Sequence, residues 1–327
     1  MNTRFGRLAL ACLVIAGLIA VGATRAASDE MTDADDLMML LMGGGVEDAS
    51  GGFSISRFGI LATGSPRAFG AIDVQGAVAT RAFGVNAVGE IVGSYTDATG
   101  TYGFLWKDGD VTKIVVPGAI STEAWGINPQ GDIVGRYRLP GDPRTLGFLL
   151  RDGVFTDISV AGHLHTLPIK ITPSRDIVGC FHDMNFLRDM RGYVQRGDQV
   201  RSFELLPSSM HNGVTPGGGT IAGISFDSPT QVHSYVLDRG VYTQFDFPGA
   251  TFTEAWDVSP NGKVVGYFNQ VDSHGFALDA DGLTQIDVPA ARWTRIFGIN
   301  PQGDMVGTYA DAANQVHAFL LRGRDQS

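Results

Sequence analysis

From residue 69 onward the apolar residues of this chain fall into short runs, alternating or doubled, cut by clusters of Gly, Pro, Asn and Asp. That is the pattern of strands and tight turns. One stretch, residues 124–137 (AWGINPQGDIVGRY), returns as 82–95 (AFGVNAVGEIVGSY), 255–268 (AWDVSPNGKVVGYF) and 296–309 (IFGINPQGDMVGTY). Two eroded copies lie between them, at 169–180 (IKITPSRDIVGC) and 213–224 (GVTPGGGTIAGI).

Aligned on the glycine after the Ile/Val pair, the copies place Gly93, Gly135, Gly179, Gly223, Gly266 and Gly307 at separations of 42, 44, 44, 43 and 41 residues. A near-constant period of this length marks a repeat architecture. In the second copy the pattern predicts strands over 123–128, 133–139, 146–151 and 154–160. Four strands in so short a repeat is the blade size of a β-propeller. The phase of the repeat adds topology. Residues 68–74 match fourth-strand segments such as Phe245-Asp246-Phe247, while the chain ends on the third-strand segment Ala318-Phe319-Leu320-Leu321. The expected fold is therefore all-β: a six-bladed propeller of four-stranded antiparallel blades, closed by an N-terminal strand that completes the last blade. Closure removes the exposed edges an open array would leave.

Asn128-Pro129-Gln130-Gly131, with its counterparts at 259–262 and 300–303, fits a type I turn, in which Pro sets the second position and Gly takes the positive φ. The Asn side chains are thus read as turn formers. Phe83, Trp125, Ile169, Asn212, Trp256 and Phe297 share one repeat position and are expected to pack between neighbouring blades. Arg81, Glu123, Leu167, Met210, Glu254 and Arg295 share another, where ion pairs between blades are the plain reading and a charged channel mouth the alternative.

Composition changes the picture at the N-terminus. Arg4 and Arg7, the apolar run 8–21 and the small residues 22–27 have the form of a secretory signal peptide spanning residues 1–26. The apolar run is shorter than the ~20 residues of a membrane span. Residues 27–52, acidic and then Gly-rich, read as a tether, and 53–327 as the single propeller domain. Loss of the signal segment removes three of the 24 basic residues and none of the 34 acids, leaving a formal charge of −13. That charge argues against nucleic acid and anionic membranes as partners. Cys12 goes with the signal segment, so Cys180 has no partner for a disulfide and the fold must rest on its core.

Ile286-Asp287-Val288-Pro289, Pro248-Gly249-Ala250, Thr122 with Ala124 and Gly126-Ile127-Asn128, Gly131 with Ile133-Val134-Gly135 and Tyr137, and His274-Gly275-Phe276 together resemble the HAF-type extracellular repeat proteins of bacteria. The resemblance runs from about Phe69 to the C-terminus. It implies an exported, repeat-built β protein and carries no catalytic residues that can be transferred. The third and fourth copies depart from it, with Lys170-Ile171-Thr172 and Gly213-Val214-Thr215 in place of Gly-Ile-Asn.

Candidate chemistry lies where the repeat breaks. His233, His274 and His317 occupy one recurring position and read as scaffold. His163, His165, His182 and His211 have no counterparts, and all lie in copies three and four. The loop after His182, with Asp183, Arg188 and Asp189, mixes acids with bases. These seven residues form the candidate ligand site. No catalytic residue is assigned and no cofactor is expected. A divalent metal on the imidazoles and a carboxylate is the lesser alternative, and calcium at Asp97, Asp227 or Asp311 a weaker one. The leading reading is an exported, secreted or periplasmic, monomeric, non-catalytic propeller that binds an envelope protein or a glycan. Its rival is a secreted hydrolase or lyase acting on carbohydrate or a lactone at the loops of blades three and four.

Overall fold

A computed structural model describes residues 69–183, 189–203, 208–228 and 231–323. The signal segment, the tether and Arg188 lie outside these residues. The first strand, β1, is Phe69–Ile72. The first repeat then supplies β2 (Ala79–Val85), β3 (Ile91–Asp97), β4 (Gly100–Lys107) and β5 (Asp110–Ile114). The second gives β6 (Ser121–Ile127), β7 (Ile133–Arg138), β8 (Leu146–Arg151) and β9 (Val154–Ile158). In the third are β10 (His165–Ile171), β11 (Ile177–His182), β12 (Arg191–Arg196) and β13 (Gln199–Ser202). The fourth holds β14 (Ser209–Val214), β15 (Thr220–Ser228), β16 (Gln231–Asp238) and β17 (Val241–Phe245). The fifth holds β18 (Phe252–Val258), β19 (Val264–Asn269), β20 (Ser273–Asp279) and β21 (Gly282–Ile286). The last adds β22 (Trp293–Ile299), β23 (Met305–Ala310) and β24 (Val316–Leu321).

Within each repeat the strands pair antiparallel in sequence order. In the second copy the strands coincide with the expected ones to within two residues at each end. The last repeat has three strands of its own, and β1 pairs antiparallel with β24, Phe69 opposite Leu321 and Ile72 opposite Ala318. One parallel contact joins β24 to β2 (Ala79 with Val316), in the same sense as the contact joining β4 to β6 (Thr101 with Ser121).

Each first strand carries a bulge, which puts the residue of the aromatic position out of register, as Trp125 between Ala124 and Gly126. The glycine after Ile-Val lies opposite that bulge. A Cβ on Gly135 would stand 2.0 Å from Glu123 O and 2.8 Å from the Phe148 ring, so the residue must be glycine. Phe148 in turn covers the glycine and is fully buried, as are Phe104, Tyr193, Tyr235, Phe276 and Phe319 at the same point of their repeats.

Joints between repeats recur as well. Thr122 Oγ1 accepts from Val116 N (3.1 Å), tying the incoming loop to the first strand. The same bond is made by Thr80, Thr166, Thr253 and Thr294 to Val74, Val160, Phe247 and Val288. The turn asparagines do more than shape turns. Asn128 Oδ1 accepts from Gln130 N and Asp132 N, while its amide donates to Asp132 and, at 3.4 Å, to Thr172 O of the next repeat. Likewise the Asn86 amide donates to Asn128 O (3.0 Å), and that of Asn300 to Asn86 O (3.2 Å).

Candidate functional site

First strands begin, and second strands end, on one face of the molecule, so the loops leading into each repeat share that face with the loops between second and third strands. His163, His165, His182 and Asp183 come together there. His165 sits opposite His182 across β10 and β11, their rings stacked at 4.4 Å and 10°. Asp183 bridges the two loops: one oxygen lies 3.1 Å from His163 Nδ1 and the other accepts from Leu164 N at 2.9 Å. The Leu164 amide bond first, and the His163 contact after it, hold the Asp183 carboxyl below the usual carboxylate range against the opposing effect of partial burial. His165 Nδ1 accepts from Thr145 N (3.0 Å), and His182 Nδ1 lies 3.0 Å from Asp183 O. The cluster is thus knit mainly to backbone and shapes the loops. Asp189 is exposed on the same loop.

His211 stands apart from this group. It is buried against the edge of Phe203 and under Gly192, whose Cβ would meet its ring at 2.7 Å, and Nδ1 meets the Tyr235 hydroxyl. Its Nε2 has no hydrogen-bond partner among the described residues. Burial lowers its pKa to about 3, so it is neutral at pH 7. Convergence of all four unrepeated histidines is therefore corrected to a group of three. Among the described residues no three His, Cys, Asp or Glu side chains are grouped so as to hold a metal ion. Asp97 and Asp311 are occupied as turn formers, accepting from Thr99 N and Gly100 N and from Ala313 N and Gln315 N. The recurring histidines pair with acids at the ends of fourth strands: His233 with Asp246 (2.8 Å), His274 with Asp287 (3.0 Å) and His317 with Asp73 (3.0 Å). Cys180 is buried and, among the described residues, in no disulfide.

The first strands of all six repeats meet at a hub. Phe83 stacks on Trp125 at 4.0 Å, and Phe297 stands edge-on to Phe83 and Trp256, which is packing between neighbours as expected. Trp125 also stacks on Trp256 at 5.5 Å, three repeats away, so the aromatic position fills the hub itself. Beneath these rings lies a cavity of about 70 Å³, opening on the face of the Pro-Gly turns and lined by residues of all six first strands. At its floor Lys170 Nζ donates to Asp257 Oδ2 (3.0 Å), Phe83 O (3.1 Å) and Phe297 O (3.2 Å). Burial raises the Asp257 pKa, opposed by Lys170 and by the amides of Ile299 and Val258. All three ammonium protons are used, so the pair is a structural plug. The sequence signal was Lys170 in place of the repeat's glycine, matched by Asp257 at the same position two repeats on.

Above the rings, toward the loop face, the other shared register forms an arc of charge. Glu123 accepts from Trp125 Nε1 (2.9 Å) and Arg136 Nε (3.0 Å). Glu254 accepts from Trp256 Nε1 (3.2 Å) and the Tyr267 hydroxyl (2.6 Å). Arg295 packs over Tyr267 and Trp293 at 4.8 and 5.1 Å and donates to Ser273 Oγ (3.2 Å). Arg81 is buried, its pKa lowered by burial and by Arg295 and raised by Glu123. Burial raises the Glu254 pKa, with Tyr267, Arg295 and Trp256 opposing. Charge thus gathers at this register, and Glu123 makes its ion pair with Arg136 of its own repeat.

No protein-family model matches the chain, and no curated protein does. Solved structures match at low identity. A gluconolactonase from Xanthomonas campestris superposes with a TM-score of 0.50 at 13% identity, covering 84% of this chain and 98% of that one. The β-propeller domain of the trilobed protease from Pyrococcus furiosus gives 0.48 at 12%, over 75% and 96%. The Aleuria aurantia lectin gives 0.47 at 11%, over 74% and 91%. With the strand pairing, the first of these likenesses makes the chain a β-propeller of four-stranded antiparallel units. The likeness is one of fold.

Lys170→Met leaves Asp257 buried without its cation and is expected to cost about 3–5 kcal/mol in guanidinium unfolding, part of it recovered by adding Asp257→Asn. A loss under about 1 kcal/mol would show the pair to be dispensable. His211 gives a pH dependence of definite sign. Between pH 6.5 and about 3 the unfolded chain binds a proton that the folded ring refuses. The stability it contributes is therefore complete above pH 6.5 and lost as pH falls toward 3, on the order of several kcal/mol at about 1.36 per pKa unit. Urea unfolding across this range should show wild type losing its margin over His211→Phe. A constant difference would refute the shift.

Proposed function

We propose that the chain is an exported, non-catalytic binding or scaffolding propeller of the cell envelope or extracellular space, related to the HAF-type repeat proteins and acting through its loop face. On this reading the ring has six blades and is closed by β1. Support for closure comes from the joints. The Asn300 to Asn86 bond and the Val74 to Thr80 bond repeat between the last and first copies what other neighbours do. His317 meets Asp73 as His274 meets Asp287. Removing residues 1–74 should then expose the edge of β24, lower the denaturant midpoint and promote association. A truncated chain that unfolds at the wild-type midpoint would mean an open array.

The observation that carries the binding role is the Asp183 bridge. Asp183 and the histidines around it are engaged in fixing two loops, which gives a preformed surface and not a nucleophile with its base. Export would bring such a face to envelope proteins or glycans. Screening against a glycan array and an envelope fraction should yield a ligand whose retention falls with Asp183→Ala and His163→Ala. Hydrolysis of glucono-1,5-lactone by the purified protein, abolished in His182→Ala, would instead establish the rival hydrolase.

A further inference from the structure

The cavity that opens on the turn face is built from the same positions in every repeat. Its wall is a ring of β-branched side chains: Val85, Ile127, Ile171, Val214, Val258 and Ile299. Two positions on, its rim is a ring of prolines, Pro129, Pro173, Pro216, Pro260 and Pro301, with Ala87 in the first repeat. Each rim residue sits second in a turn closed by a backbone bond from the fourth residue to the first, at 2.8–3.1 Å in all six. Fixed proline rings above stiff β-branched side chains hold the opening in shape, so little has to be ordered when something enters. At about 70 Å³ the space is half the roughly 150 Å³ that encloses a benzene ring, so it admits an unbranched chain and not a ring.

The polar groups on this lining can be accounted for one by one. Asn86 donates to Glu90 and Asn128 O, and its Oδ1 accepts from Val88 N and Glu90 N. Thr172 Oγ1 is engaged with Ser174 Oγ and Asp176 N. Lys170 has placed all three protons. Asp257 differs: Oδ2 accepts from Lys170 and from Ile299 N (3.0 Å), while Oδ1 accepts only from Val258 N (2.9 Å). Gly213 of the neighbouring repeat puts no side chain over Oδ1, where a Cβ would stand 2.9 Å away. The valence left at the floor is thus that of an acceptor, and a further donor would oppose the burial that raises the Asp257 pKa. Lys170 already neutralises the carboxylate, so a cationic head entering beside it would be a buried charge without compensation. A neutral hydroxyl carries no such penalty, and Tyr267 makes a bond of this kind to Glu254 elsewhere in the hub.

We propose that this funnel binds a small primary alcohol, its unbranched alkyl chain within the ring of β-branched side chains and its hydroxyl donating to the Asp257 carboxylate. The site lies at the opposite end of the hub from the loop face, so it stands or falls apart from the binding role given above.

Methyl NMR of the full-length mature protein tests the site, with 1-butanol titrated beside methyl propyl ether, an isomer that has no hydroxyl proton, and beside n-butylammonium. The alcohol should shift the Ile127, Ile171 and Ile299 methyl signals saturably, with a Kd on the order of millimolar for so few atoms. The ether should bind at least about tenfold more weakly, and the ammonium more weakly than the alcohol. Two variants narrow the funnel with side chains that other repeats already carry: Ala87→Pro completes the rim, and Val214→Ile adds a methylene to the wall. Each should weaken the alcohol severalfold, while Val271→Ser, at an exposed position on the loop face, leaves it unchanged. Should one narrowing variant fail to fold, the other decides. No saturable shift at these methyls, equal binding of ether and alcohol, binding of the ammonium as tight as that of the alcohol, or binding that the narrowing variants leave intact overturns the proposal.

Discussion

Close approach of the first strands is the constraint on which the rest of the structure depends. At the residue after the bulge there is no room for a side chain between one strand and the next. A Cβ on Gly84 would stand 2.6 Å from Trp125 O, on Gly126 2.6 Å from Ile169 O, and on Gly213 2.4 Å from the Asp257 Cα. Two repeats break the rule, and they break it together. Lys170 and Asp257 carry their side chains into the hub and satisfy each other there, with carbonyl oxygens taking the remaining ammonium protons. Either charge alone would be a buried ion without compensation, a far worse outcome than two glycines. The pair therefore links repeats three and five through a contact that no local rule of the repeat requires.

The polar content of the hub is then divided by level. On the turn side it is neutralised: one cation, one anion, every proton placed. On the loop side the arc of arginines and glutamates is interrupted at Leu167 and Met210, two of its six positions, which carry no charge. Repeats three and four use their polarity elsewhere, in the Asp183 bridge and in the buried His211–Tyr235 contact. In these two copies the loop-side level of the hub is uncharged, while the loops gain structure of their own.

Much of the architecture was legible in the sequence because a repeat states each rule several times. Ile133–Arg138 and Leu146–Arg151 fell where the alternation put them, and Gly131 and Gly303 have the positive φ expected of their turns. Contacts made once were not legible. The position of Lys170 was conspicuous, but nothing in its surroundings along the chain names Asp257, 87 residues away, as its partner. His211 was grouped with three other histidines because it too was unrepeated. Its side chain turns into the space between units, toward Tyr235, a direction that uniqueness in sequence does not encode. The inward role of Trp125 and Trp256 was hidden for a related reason: packing across the hub joins repeats that are not neighbours.

The histidines at the third strands show how a repeat can also report on its own ends. In two copies the partner acid follows thirteen residues later, Asp246 after His233 and Asp287 after His274. In the last copy no residue thirteen positions on exists within the chain's described part, and His317 takes Asp73 instead, 244 residues away in sequence. Asp311 lies 3.6 Å from the other ring nitrogen. Burial disfavours the imidazolium, yet the Asp73 bond and the charges of both acids outweigh it, so the His317 pKa is raised. That contact contributes stability at acid pH and loses it as pH rises through the folded pKa, the opposite sense to His211. A bond that is local in the fourth and fifth repeats becomes, at the junction of β1 and β24, one that spans almost the whole domain. Ordering the intervening chain is then a cost that the joints of all the repeats share.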